Sequence, residues 1–581
     1  MMPVTFDGCA GWLNVGSNGI GVVICAPFGQ EAMLTYRGCK ILADALQKRG
    51  FSVLRFDYPG TGDSAGSETD PDRLGAWQGS IGSATAFLRH ATGADAMLLI
   101  GFRLGAALAL RAAAMDPSII AICCLSPVIS GRSYTRELRL LANGWREANL
   151  LPPPQTGSAH LDVAGDRLAD ETLHALSAID LRTLAQTAPD VLLMEASGAP
   201  LIAALANRLE ELGARVTRGD FPGAPEFLQN PFSATVPQAA FTNIVEWCAS
   251  LLPRDRRLPP PLPPTCGLLQ LPNAIEQGLH FGPRSSLYGV LCLPMQRHVD
   301  PAPTVLMLNT GFGRRTGDGR VYVTLARRLA ALGIASLRID AAGFGDSTSR
   351  DDQEADPYGL EIVGDVVAGV EVLAARGLHR PVLVGICSGA HAAFHAGLHE
   401  PRIDRLILTN LQKFIWENDV PLRVINRKQR RPVAFYLRAA TRQGVWLRLL
   451  CGEIAVGSIG AALIRRLFAN AYISGCLLLE RKMGLRTHSG QVRRWLTELD
   501  ERGTHVDLLY SEGDPGLSEL ALVVGPGQRS LQGFENINVK VIPRADHALL
   551  DHTARQHFID YICRIFEASD ANSAESVGLS A

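Results

Sequence analysis

Net charge is nearly absent from this 581-residue chain: 56 Lys and Arg stand against 57 Asp and Glu, a formal balance of −1. That balance singles out no partner class, and nucleic acid is not expected as one. No run of about 18 uncharged apolar residues occurs, so no membrane-spanning helix is expected. The stretch Met1 to Gly16 has neither the basic region nor the apolar core of a signal peptide, and a cytoplasmic location is the expectation. None of the 12 cysteines pairs with another at C-x-x-C spacing, which argues against structural zinc. Cys123 and Cys124 lie in an apolar, strand-like run and read as buried free thiols of a reducing compartment. No motif implies a metal or redox cofactor.

What is present is an apolar content of 47% with 19% charged residues, the balance of a soluble globular protein, in a chain too long for one core. Pro253 to Pro264 reads P-R-D-R-R-L-P-P-P-L-P-P, an extended linker between parts of similar size. The parts resemble each other. In the first, the strand-like run Ile20 to Ala26 and the turn at Phe28-Gly29 lead to Ser52–Asp57, then Tyr58-Pro-Gly-Thr-Gly-Asp63-Ser64. In the second, Thr304 to Asn309 and Gly311-Phe312-Gly313 lead to Ala335–Asp340, then Ala341-Ala-Gly-Phe-Gly-Asp346-Ser347. A third block follows in each, Ala96 to Gly105 and Pro381 to Gly389. Strands alternating with helical stretches predict a mostly parallel sheet covered on both faces. The expected boundaries are residues 1–252, a linker at 253–266, a second domain at 267–567 with a helical cap at about 411–500, and a disordered tail at 568–581.

The third block of the second part holds the chemistry. An apolar strand enters Gly385-Ile-Cys387-Ser-Gly389, and a helix-like stretch follows. This is the strand–turn–helix pattern of a nucleophile elbow, with Cys where Ser is usual. Together with the R-x-D-x-x-G-x-G-D-S block, the chain resembles the serine aminopeptidase-like branch of the α/β-hydrolase superfamily. More narrowly, it is similar to paired hydrolases found with bacterial exosortase and exopolysaccharide systems, one elbow carrying Cys and the other Arg. The resemblance implies an α/β fold of two tandem hydrolase domains, each with a helical cap insertion.

A nucleophile needs a base, and the base an orienting acid, in the chain order nucleophile, acid, His. The strand Val506–Ser511 ends at Glu512-Gly-Asp514, which makes Asp514 the candidate acid and Glu512 the fallback; Ile542-Pro-Arg-Ala-Asp-His547 supplies the base. The expected site is therefore Cys387, Asp514 and His547. The backbone of Ser388, with Gly311 or Phe312, forms the oxyanion hole. Reaction at Ser388 itself would break the glycine spacing. Asp340 and Asp346 are expected to pin their turn, and His391 to pack or tune. Between Leu411 and Asp500 sixteen Lys or Arg meet six Asp or Glu, densest at Arg427–Arg431. A solvated face and a lid for an anionic substrate are both open readings. Phe414, Trp416 and Trp446 are core residues or the lining of a sugar or acyl pocket.

The first part reads Gly101-Phe-Arg103-Leu-Gly105 at its elbow, and arginine stays protonated. No acid stands in the turn after Val191–Glu195, and Glu226 occupies the His position. An ion pair between Arg103 and Glu226 is expected, in a stabilising or regulatory domain without a triad. The functional expectation is hydrolysis of an ester or thioester through an acyl-cysteine, on a small-molecule or carrier-bound acyl group. Acyl transfer to a sugar or lipid alcohol and a non-catalytic binding protein are the alternatives, and oligomeric state is open.

Overall fold

The computed structural model describes residues 1–152, 157, 159–195, 200–228, 235–251, 267–296, 302–350, 355–416, 488–525, 531 and 533–578. It holds two large sheets of one design. The first runs, in spatial order, Met2–Phe6, Cys9–Asn14, Ser52–Phe56, Ile20–Cys25, Ala96–Phe102, Ile119–Leu125, Asp190–Glu195 and Arg215–Asp220. The second runs Leu268–Leu271, Ala274–Phe281, Leu287–Pro294, Ser336–Asp340, Thr304–Leu308, Pro381–Ile386, Arg405–Thr409, His505–Ser511 and Ile537–Ile542. In each, the leading strands pair antiparallel and the rest parallel. Continuous apolar runs become the central strands because helices cover both faces: every residue of Ile20–Cys25 and of Pro381–Ile386 is buried.

The first domain's insertion is two helices, Gly131–Ala148 and Asp170–Ser177, with a two-stranded ribbon, His160–Val163 and Asp166–Ala169, between them. The proline-rich linker, Arg427–Arg431, Trp446 and most of the expected cap lie outside the described residues. The final helix, His552–Gly578, continues through most of the stretch expected to be a disordered tail. That stretch contains no proline and several alanines, so the helix propagates until Gly578. Among the described residues no helix is long and apolar enough to cross a membrane.

The domains meet at a charged seam built from the repeated block. Arg55 of the first block reaches Asp346 of the second at 2.9 Å, and Arg338 of the second reaches Asp63 of the first at 3.2 Å. The exchange of equivalent partners is that of an isologous interface, here within one chain. Arg315, 0% exposed, joins Asp63 and Asp340 at 2.6 Å and Asp346 at 2.9 Å. Burial alone would raise the Asp63 carboxyl; Arg315 and Arg338 overcome it and hold it down at about 2. Such a charge is tolerable only because it is paired, and breaking a buried pair of this kind costs about 3–5 kcal/mol. Asp340 pins its turn as expected, accepting from Asp346 N–H at 3.0 Å, and Asp57 does the same in the first domain, accepting from Asp63 N–H at 2.9 Å. Their part in joining the domains has no signature within either block.

Candidate active site

Cys387 stands between the strand Pro381–Ile386 and the helix Ser388–His399, with φ 57° and ψ −116°. A side chain there costs strain and is lifted clear of the sheet. The turn closes because nothing larger than hydrogen fits beside it. A Cβ on Gly385 would lie 2.2 Å from Gly389 O, and one on Gly389 would lie 2.8 Å from Asn309 O. The thiol thus sits over the first turn of a helix, whose unpaired N–H groups favour an anion.

His547 follows the last strand, and its Nδ1 lies 2.5 Å from Asp514 Oδ2. Asp514 is buried, and its other oxygen accepts from Gly516 N–H at 2.7 Å, so the carboxylate is fixed from both sides. Glu512 accepts from Arg544 N–H at 3.1 Å and so serves the neighbouring turn. Asn410, at φ 52°, donates to His547 O at 2.6 Å and to Ser511 Oγ at 2.9 Å, tying the ends of two strands to the histidine loop. His547 remains 35% exposed, open to a substrate.

The electrostatics are those of an ion pair. Burial alone would raise the Cys387 thiol; the charge of His547 and its hydrogen bond, with a further one from Tyr358, bring it below its ordinary value. Burial alone would lower His547, and Cys387 and Asp514 together push it well above. Each group thus favours the charged form of the other.

Two residues at this site carry no signal in the sequence reading. Tyr358, 6% exposed, brings its hydroxyl to 3.3 Å from Cys387 Sγ, and Trp416 stacks on its ring at 4.1 Å and 10°. The Gln412 amide nitrogen lies 3.1 Å from His547 Nδ1 and 3.3 Å from Nε2. His391 is buried against Tyr358, its Nδ1 2.9 Å from Lys413 O, and burial followed by the charge of His395 lowers it to about 4. It packs, as expected, and stays neutral. Phe414 is fully buried against Phe394, a core residue.

Two expectations are corrected. Gly311 N–H donates to Ser388 Oγ at 2.7 Å and so is already committed. Phe312 is the other residue named in that turn. Arg103 does not pair with Glu226. It bonds Glu31 at 2.7 Å and grips Glu137 at 2.7 and 2.8 Å. Glu226 is exposed on the four-residue helix Ala224–Phe227, which buries Phe227 and turns the carboxylate outward. The two elbows nonetheless share one backbone: Arg103 has φ 52° and ψ −117°.

Comparison with known proteins finds a family model over part of each domain. The family model described as serine aminopeptidase, S33, matches residues 23–163, and that of the alpha/beta hydrolase family matches 305–556. A search of the curated proteins found no match. Among solved structures, Est1E from Butyrivibrio proteoclasticus with ferulic acid bound is 18% identical at a TM-score of 0.33, over 43% of this chain and 98% of its own. The proline iminopeptidase of Mycobacterium smegmatis is 15% identical at 0.30, over 51% and 99%. The monoacylglycerol lipase of Paleococcus ferrophilus is 19% identical at 0.29, over 42% and 98%. With one hydrolase-family match over each sheet, the chain is a tandem member of the α/β-hydrolase superfamily.

Proposed function

We propose that the second domain is a cysteine-dependent hydrolase of an ester or thioester. The observation that carries this reading is the strained elbow thiol, held below its ordinary pKa by a histidine that Asp514 orients at 2.5 Å. Cys387 Sγ attacks the acyl carbonyl, a C–S bond forms, and the oxyanion takes hydrogen bonds from Ser388 N–H and Phe312 N–H. His547 takes up the thiol proton as the sulfur attacks, and gives it to the leaving alcohol or thiol as the carbonyl re-forms and the bond to that group breaks. It then accepts a proton from the water that attacks the acyl-cysteine, and the acid leaves as the thiolate is restored. The substrate is a small-molecule or carrier-bound acyl group.

The test is a panel of p-nitrophenyl esters and acyl thioesters given to the native protein and to Cys387→Ala. Turnover is expected to fall about a thousandfold or more in the variant, and mass spectrometry of the quenched native enzyme is expected to find the acyl group on the peptide containing Cys387. Equal turnover by the two proteins sinks the assignment.

A further inference from the structure

The loop that follows Phe312 has a backbone that no isolated turn would keep. Gly317, Gly319 and Arg320 all hold positive φ, at 67°, 57° and 58°. For Arg320, which carries a Cβ, that conformation is costly and persists only where the surroundings over-determine it. Its own domain holds the loop from one side, through Arg315 N–H on Asp340 Oδ1 at 2.6 Å and Tyr322 N–H on Thr316 O at 3.1 Å. The other flank does not rest on its own sheet. It borders a cavity of about 110 Å³ whose far wall is the first domain, at Phe28, Gly29 and Thr61.

Two side chains cross beside that cavity. The Arg314 guanidinium grips Asp57 with two bonds, at 2.8 and 3.1 Å, and lies 4.3 Å over the ring of Tyr36. Arg320 donates to three backbone carbonyls of the first domain: Gly62 O and Ser64 O at 2.8 Å, and Gly66 O at 3.1 Å. Asp57 to Ser64 is the first domain's copy of the turn that, at Asp340 to Ser347, packs under the active loop from within the second domain. The loop is held from both sides by two copies of one turn.

We propose that the first domain is a clamp on the oxyanion loop, in which Asp57 and the carbonyls of Gly62, Ser64 and Gly66, through Arg314 and Arg320, set the position of the Phe312 N–H. The inference rests on the reading of Phe312 as an oxyanion donor. These are positioning residues, since none reaches the thiol. A domain without nucleophile, acid or histidine then has a defined task in catalysis.

The experiment uses the full-length protein with Asp57→Asn, Arg320→Ala and, as the conservative change, Asp57→Glu. Hydrogen–deuterium exchange is followed at residues 311–320 and at the elbow, 381–390. Hydrolysis of a butyryl thioester and alkylation of Cys387 by iodoacetamide are measured beside it. The expected result is faster exchange confined to 311–320 in the first two variants. With it, kcat falls about ten- to a hundredfold, KM stays within about twofold, the alkylation rate is unchanged, and Asp57→Glu recovers part of the loss. Unchanged exchange at 311–320 in both variants overturns the clamp, and so does faster exchange with undiminished kcat. Absent turnover by the native protein would sink the thioester reading instead, and the exchange result would still decide whether the first domain holds the loop.

Discussion

His547, with Tyr358 beside it, sets Cys387 apart from the other described cysteines. Burial pushes Cys9, Cys25, Cys248 and Cys292 up to about 12, whereas Cys387 moves the other way. His547 supplies most of the difference, and the Tyr358 hydroxyl at 3.3 Å adds a second donor. Tyr358→Phe keeps the ring and its stacking on Trp416 while removing that donor. The midpoint of iodoacetamide alkylation against pH is expected to move up, and kcat to fall about ten- to a hundredfold, the worth of a hydrogen bond to a charged group. Superimposable alkylation profiles would reduce Tyr358 to a packing residue. Cys387, Asp514 and His547 were readable because each follows a strand in a short, recognisable turn. Tyr358 was not. It lies on a loop between Ser336–Asp340 and Ile362–Ala374 that has no local pattern, and only the path of the chain brings it to the thiol.

At the scale of elements, the two elbows set one backbone in two different surroundings. Arg103 and Cys387 differ by 5° in φ and 1° in ψ (52 against 57, −117 against −116), and each begins a helix. Their surroundings differ entirely. Cys387 faces an imidazole and a phenol, while Arg103 faces the carboxylates of Glu31 and Glu137. A thiol placed at Arg103 would inherit the helix terminus and two unpaired acids, and those acids oppose a thiolate. The double variant Cys387→Ala, Arg103→Cys is therefore expected to fold, to alkylate far more slowly at the introduced thiol than native Cys387 does at neutral pH, and to show no turnover. Rapid labelling of the introduced thiol in that protein would mean that the elbow backbone alone activates it. The shared strands and elbows were legible as repeated apolar runs and glycine spacing. The partner of Arg103 was not, because the alignment put Glu226 at the histidine position without showing that Phe227 would claim the buried side of its short helix.

Over the whole molecule, the seam should make stability depend on pH in two opposing ways. Asp63, held at about 2 by Arg315 and Arg338 against its burial, and Asp346, held lower still by Arg55 and Arg315, contribute stability that is present above the unfolded carboxyl value of about 4. That contribution is lost as pH falls from there through the folded values. Asp166 and Asp318, beside the interdomain cavity, behave oppositely. Burial, then the charge of Glu68, raises Asp166 to about 7; burial, then the charge of Asp546, raises Asp318 to about 6. A raised carboxyl favours its protonated form in the folded state, so its penalty is full above the folded value and disappears as pH falls towards about 4. Melting temperature is thus expected to peak between about pH 4 and 6, declining on both sides. Asp166→Asn removes one ionisation and leaves the acid limb untouched. The side chain is partly open to the cavity, which keeps the gain to about 1 kcal/mol. The variant should melt above the native protein at about pH 8 and converge with it near pH 4. Scanning calorimetry across that range decides the matter, and an offset between the two proteins that does not change with pH would show that Asp166 is not the group being relieved.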